Sequence, residues 1–303
     1  MLPKLEGYAA ALLGSLDKDA LGVVANDLAT LEQTVLARSD LRAVLSDTSI
    51  PGVVRGQIFR DLLAGKLHPT AVRLSVYAAT MVPAQEVDHA IAELAVVART
   101  LVTTGTFTHN GLGLLAARRR VGGFADAVLE DLDTSVFAEI ETDLFSWARV
   151  IEGNLEVRRL LLDRDAALES RIGVTTQLLS GKVSATTLRL ACYVVEGGRP
   201  RDVVGTLDFL STHVAEARNW RVARVRTARA LDDASRAQLV SSLTTLTGRD
   251  VELLVAEDPA LLGGVLVQVG DLRLDATTRG RLGALHDAVA SGRYFESALN
   301  RND

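Results

Sequence analysis

The chain has 303 residues, 48% of them apolar but only 4% aromatic, with a formal net charge of −5 and a pI near 5.6. That length suggests two or three compact units whose cores are built mainly from Leu, Val and Ala. The mild acidity argues against a nucleic-acid binder, and the lone Cys192 leaves no intrachain disulfide.

From the start of the chain, "GYAAALLGSLD" at Gly7 is echoed by "GFADAVLEDLD" at Gly123. No gap is needed for the following seventy residues or so, and 20 of the 73 positions from Gly7 to Ala79 are identical. A duplicated domain of about a hundred residues follows from this. Lys4 followed by an apolar stretch superficially matches a secretion signal. The internal echo, with Asp126, Glu130 and Asp131, reads instead as the first helix of a domain.

Leu21, Val24, Leu28, Leu31 and Val35 recur as Phe137, Ile140, Leu144, Trp147 and Ile151. Steps of three and four predict one amphipathic helix per copy. "LLAGK" and "LLSGK" follow apolar helical runs, so Gly65 and Gly181 are predicted to end helices in the left-handed conformation, with Lys66 and Lys182 at the negative dipole end. Each copy is expected to form a bundle of five or six short helices, spanning 1–102 and 122–219.

Between them, 103–121 carries the Gly, Thr and Arg content of a linker. Its uncharged stretch, Thr100 to Ala117, holds five Thr and three Gly and is too polar for a transmembrane segment.

From residue 220 to 295 the pattern changes, ahead of a tail at 296–303. "RVARVRTARAL" reads as a strand. Asp232 caps a helix running to about Thr247 and ended by Gly248. "DVELLVAE", "GVLVQVG" and "LRLD" are short strands, and Asp275 caps a helix starting at Ala276. The expected fold is mostly α: two tandem small helical bundles followed by a small α+β module.

No motif promises catalysis. "GLGLLA" at Gly111 satisfies a dinucleotide fingerprint formally, but no strand-turn-helix surrounds it. "AGK" and "SGK" lack the earlier glycine and the following Ser or Thr of a phosphate loop. Arg118, Arg119 and Arg120 read as solvated loop arginines, and Trp147 as core. The five histidines show no metal-ligand spacing. Neither a cofactor, a metal nor a catalytic residue is expected.

The stretch "EDPALLGGVLVQVGDLRLDATTRGRL" is the most specific in the chain. Through Asp258, Pro259, Leu262, Gly263, Gly264, Gly270, Asp271, Asp275 and Leu282 it resembles the signature of the F-type ATP synthase delta subunit family, which includes the mitochondrial oligomycin-sensitivity-conferring protein. It departs in having Ala276 and Thr277 after Asp275, and in carrying an extra helical copy in front, as in actinobacterial delta subunits.

The resemblance implies a non-catalytic subunit of the peripheral stalk, or stator, on the cytoplasmic face of the plasma membrane. Its helical domain would hold N-terminal helices of the alpha subunits, and its C-terminal module the end of the b subunit. By that analogy the alpha-binding groove is expected on the second copy, around Phe124, Ala127, Val128, Leu207 and Leu210. The role of the first copy stays open between a second alpha helix and the stalk. A free-standing helical scaffold is the alternative that the repeats alone would allow.

Overall fold

The computed structural model describes residues 1–107, 111–163, 166–247, 251–258, 261, 263–270 and 272–278. They form two compact units, Met1–Ala215 and Glu216–Asp303.

The first unit contains both copies. Helices α1 (Pro3–Leu13), α2 (Lys18–Ala37), α3 (Ser39–Ser46), α4 (Gly52–Leu63), α5 (Pro69–Met81) and α6 (Val87–Thr104) make the first. The second consists of α7 (Leu114–Glu130), α8 (Phe137–Gly153), α9 (Leu155–Leu162), α10 (Leu168–Leu179), α11 (Ala185–Gly197) and α12 (Val203–Arg221). From α3 to the start of α6, every helix boundary recurs 116 residues later in α9 to α12, as do the short 3-10 turns Ala84–Glu86 and Pro200–Asp202. The duplication thus extends beyond the aligned 73 residues to the whole bundle.

Local chemistry sets these boundaries. Asp17 accepts from the Ala20 amide at the start of α2, and Asp133 accepts from Ser135 at the equivalent place. Gly65 and Gly181 adopt φ of +73° and +72° after α4 and α10. Lys66 Nζ donates to the Leu62 carbonyl, satisfying an orphan acceptor of the last turn. The amphipathic stripes lie inside: Leu21 to Val35 on α2 and Phe137 to Ile151 on α8 are at most 7% exposed. Each such side chain contributes roughly 1.5–3 kcal/mol as an upper estimate.

The connector is shorter than the 103–121 reading. The α6 helix continues to Thr104, Gly105 ends it at φ +69°, and α7 has begun by Leu114. Arg118 to Arg120 therefore sit on a helix, and two of them are held by contacts that sequence spacing does not reveal. Arg118 grips both carboxylate oxygens of Asp202 at 2.8 Å. Arg120 is only 3% exposed and donates to the Gly197 carbonyl and to Glu6.

In the second unit, β1 (Val222–Thr227), helix α13 (Asp233–Thr247), β2 (Glu252–Glu257), β3 (Val265–Val269) and β4 (Leu272–Asp275) follow in order. The sheet order is β2-β1-β3-β4, with β1 parallel to β2 and antiparallel to β3, and β3 antiparallel to β4. A parallel pair requires a crossover, and α13 supplies it. Asp232 caps α13 through the Ser235 amide. Ala223, Val225, Leu243, Val251, Leu253, Val267 and Val269 form the core. The expected helix end at Gly248 and the expected helix beyond Ala276 lie outside the described residues, apart from the turn at 276–278.

Candidate docking site

The first helix of each copy packs mainly on the first helix of the other, so α1 and α7 cross. Glycines make the approach possible. A methyl group placed on Gly7 would fall 1.8 Å from the Arg120 carbonyl oxygen, and one on Gly123 would fall 1.8 Å from that of Lys4. Gly7 corresponds to Gly123 in the repeat and Lys4 to Arg120, so the crossing obeys an approximate two-fold relation.

Aromatic stacks flank it symmetrically. Tyr8 lies 3.7 Å from Tyr77 at an interplanar angle of 8°, and Phe124 lies 3.6 Å from Tyr193 at 11°. The fifth helix of each copy then reaches the other's first helix. Arg73 on α5 donates to the Ala127 carbonyl and pairs with Glu130 and Asp131, and Arg189 on α11 donates to the Ala11 carbonyl at 2.6 Å.

One polar cluster breaks the symmetry. Asp126 receives the Tyr77 hydroxyl at 2.7 Å, pairs with Lys4 at 3.0 Å and lies 2.7 Å from His213. Burial opposes its charge, but the His213 ring, Lys4 and Tyr77 outweigh burial and hold the carboxyl well below the usual aspartate range. The Tyr8 phenol is pushed above its usual pKa, first by burial and then by Glu130, to which it donates. Most of these polar bonds are part-buried, so opening the joint would leave their groups partly shielded from water and without their partners.

The predicted groove residues fall largely inside this packing. Phe124 is 6% exposed and Ala127 3%, while Leu207 and Leu210, on α12, are fully buried. Only Val128 stays half-buried on the surface. An apolar stripe announces a buried face without saying what buries it, and part of the α7 face is taken by α1 of the same chain.

The C-terminal signature shapes backbone. Gly264 has φ +81°, and a methyl there would lie 2.3 Å from the Ala276 carbonyl oxygen. Ala276 donates to the Val265 carbonyl and Thr278 to that of Gly263, both at 2.9 Å, so the chain leaving β4 runs close beside the two glycines. Gly270, at φ +54°, turns β3 into β4. Asp275 accepts from the Thr277 amide and hydroxyl, closing a local turn after β4. Asp258 donates its amide to the Thr227 carbonyl and pairs with Arg226. Pro259, Leu262, Asp271 and Leu282 lie outside the described residues.

Sequence reasoning missed Phe145. It is 51% exposed on α8, with the Arg149 guanidinium carbon 4.9 Å above its ring. Comparison of the two copies holds the signal, since Ala29 stands at the equivalent place.

Among the described residues, no group of His, Cys, Asp and Glu could hold a metal ion, and no helix is long and apolar enough to cross a membrane. A cross-braced duplicated helical bundle, followed by a small sheet module whose signature glycines serve backbone geometry, defines the class: a mostly helical protein of two tandem bundles and a small α+β module.

The sequence profile of the ATP synthase delta (OSCP) subunit matches residues 122–289, the second copy together with the sheet module. Several relatives named ATP synthase subunit delta extend over most of the chain. That of Parafrankia sp. is 31% identical over 86% of this chain and 84% of its own length, and that of Streptomyces avermitilis is 32% identical over 87% and 98%. That of Salinispora arenicola is 28% identical over 90% of each. The chain belongs to the ATP synthase delta (OSCP) subunit family.

Proposed function

We propose that this chain is a non-catalytic peripheral-stalk subunit of an F-type ATP synthase, held at the cytoplasmic face of the plasma membrane through its partners. In this reading the helical unit grips the catalytic head through N-terminal helices of the alpha subunits, and the α+β module grips the C-terminal helix of the b subunit. A rotating central shaft drags on the head, and the static link opposes that torque during proton-driven ATP synthesis.

The observation that carries the reading is family membership over nearly the whole chain, with profile coverage of both the helical copy and the sheet module. The architecture supports it. A strut must transmit load without yielding, and the two copies are tied by reciprocal helix insertion rather than by a flexible tether.

For the alpha helix we place the contact on the second copy at α7, where half-buried Val128 is the accessible member of the group whose other residues, Phe124, Ala127, Leu207 and Leu210, are buried. A helix docked in an apolar groove is the recognition mode that suits this placement. The test is capture of separate alpha N-terminal and b C-terminal peptides by the full chain. Both should bind, and Val128→Asp should weaken the alpha peptide alone. Failure of the full chain to bind either peptide would remove the stator reading, and unchanged alpha binding by the Val128 variant would remove its placement.

A further inference from the structure

The sheet module holds a cavity of about 770 Å³ between the end of β1, one side of α13 and the start of β3. That volume lies within the range of small-molecule sites.

The helix turns a polar stripe toward it. Ser235, Gln238, Leu239 and Ser242 follow the i, i+3, i+4, i+7 spacing of one helix face, and three of the four are polar. A helix side that packs on its own sheet is normally apolar; on α13 that task falls to Leu243, buried in the module core, and to Val240 against it. Ser235, Gln238 and Ser242 are exposed, so their hydrogen-bonding groups are held at the cavity wall and open to solvent.

The opposite wall contains a polar atom with nothing to bond. Thr227 follows Ala223 and Val225 on the face of β1 that packs toward α13. It lines the cavity, is 2% exposed, and its hydroxyl has no hydrogen-bond partner. Buried hydroxyls almost always have one, so an orphan on a cavity wall marks a position for a ligand atom. Gly263 and Gly264 leave the third wall without side chains.

Charge narrows the ligand. Arg229 is the one charged side chain among the described lining residues, with no carboxylate beside it. A guanidinium matches the paired oxygens of a phosphate or a carboxylate. Hydroxyls and an amide alongside suit a ligand that is itself rich in hydroxyl groups.

We propose that this cavity binds a small polyhydroxylated organic anion. Its phosphate or carboxylate sits on Arg229, its hydroxyl groups lie along Ser235, Gln238 and Ser242, and one of its polar atoms satisfies Thr227. Leu231, Leu239 and Val265 take the carbon skeleton. The site asks nothing of the subunit's protein partners, so it stands apart from the stator reading.

The experiment titrates the full chain by calorimetry with ribose 5-phosphate, gluconate, ribose and inorganic phosphate. At least one of the two organic anions should saturate a single site, and ribose and inorganic phosphate should bind at least about tenfold more weakly. Hydrogen exchange should slow in β1, α13 and β3 on binding and stay unchanged in α2 and α8. Arg229→Ala, an exposed substitution, should weaken binding about tenfold or more. Thr227→Val should also weaken it, while the free protein unfolds no more easily than its parent, because the hydroxyl it loses had no partner. Three results overturn the proposal: neither organic anion binds, Arg229→Ala binds equally well, or inorganic phosphate binds as tightly as the organic anions. Thr227→Val binding equally well assigns the orphan hydroxyl to water and overturns the placement of the ligand.

Discussion

Gly7 and Gly123 occupy equivalent places on opposite sides of one helix crossing, each pressed against a backbone carbonyl of the other's helix, at Arg120 and Lys4 respectively. Backbone cannot step aside as a side-chain tip can. Gly7→Ala or Gly123→Ala must therefore drive α1 and α7 apart, at a cost of roughly 1–3 kcal/mol or more. Gly22 lies within α2, where an added methyl would meet nothing inside 4 Å, so Gly22→Ala should stabilise by about 0.5–1 kcal/mol through helix propensity. Urea unfolding of the three variants decides it. Equal effects at Gly7 and Gly22 would mean that the crossing is not tight.

The Asp126 cluster makes stability pH-dependent with a definite sign. Its folded-state pKa is depressed, so its contribution is present above the unfolded value of about 3.9 and is lost as pH falls from there toward the folded value. Asp126→Asn should lower stability at neutral pH by on the order of 2–3 kcal/mol and flatten the decline below about pH 4. Asp47, Asp133, Asp232 and Asp275 are also depressed by local hydrogen bonds, but they remain in the variant. The difference between the two pH profiles therefore isolates Asp126. Parallel profiles would show that the cluster carries no net linkage.

Arg55 and Arg171 are the same residue in the two copies, both buried, at 5% and 8% exposed, yet their surroundings differ. Arg55 donates to the carbonyls of Ile50, Ala79 and Val82. Arg171 has no partner for Nε or Nη1, and at the end of α11 it is Arg120 that donates to the Gly197 carbonyl. Arg55→Met strands three carbonyls and should cost roughly 2–5 kcal/mol. Arg171→Met removes an unsatisfied buried cation and should stay within about 1 kcal/mol of the parent or exceed it. Thermal unfolding of the pair checks the ranking, which would be wrong if the two substitutions cost the same.

Period and repetition made most of the helices readable. The stripe from Leu21 to Val35 and its counterpart from Phe137 to Ile151 specify which side of each helix is inside. They are silent about whether the neighbour is local or belongs to the other copy. That is why Phe124 and Ala127 looked like an open groove, and why Arg120 looked solvated: Glu6, which pairs with it, is 114 residues away. Turn chemistry was legible because its causes are local, as at Gly65, Gly181 and Asp232. The exposed Phe145 was hidden for the opposite reason, since the residue lies off the stripe and only its contrast with Ala29 marks it.

Gly264 gives the last test, confined to the sheet module. Its φ of +81° is strained for any residue with a side chain, and the added methyl would also meet the Ala276 carbonyl oxygen at 2.3 Å. Both effects push the segment after β4 away from β3 and threaten the Ala276–Val265 and Thr278–Gly263 hydrogen bonds. Gly264→Ala should destabilise the second unit by roughly 1–3 kcal/mol. The first unit, whose core shares none of these contacts, should keep its unfolding transition. Hydrogen exchange read peptide by peptide separates the two: faster exchange in β3 and β4 with unchanged protection in α2 and α8 is the expected pattern. Equal loosening of both units would show that the glycines support more than the local turn.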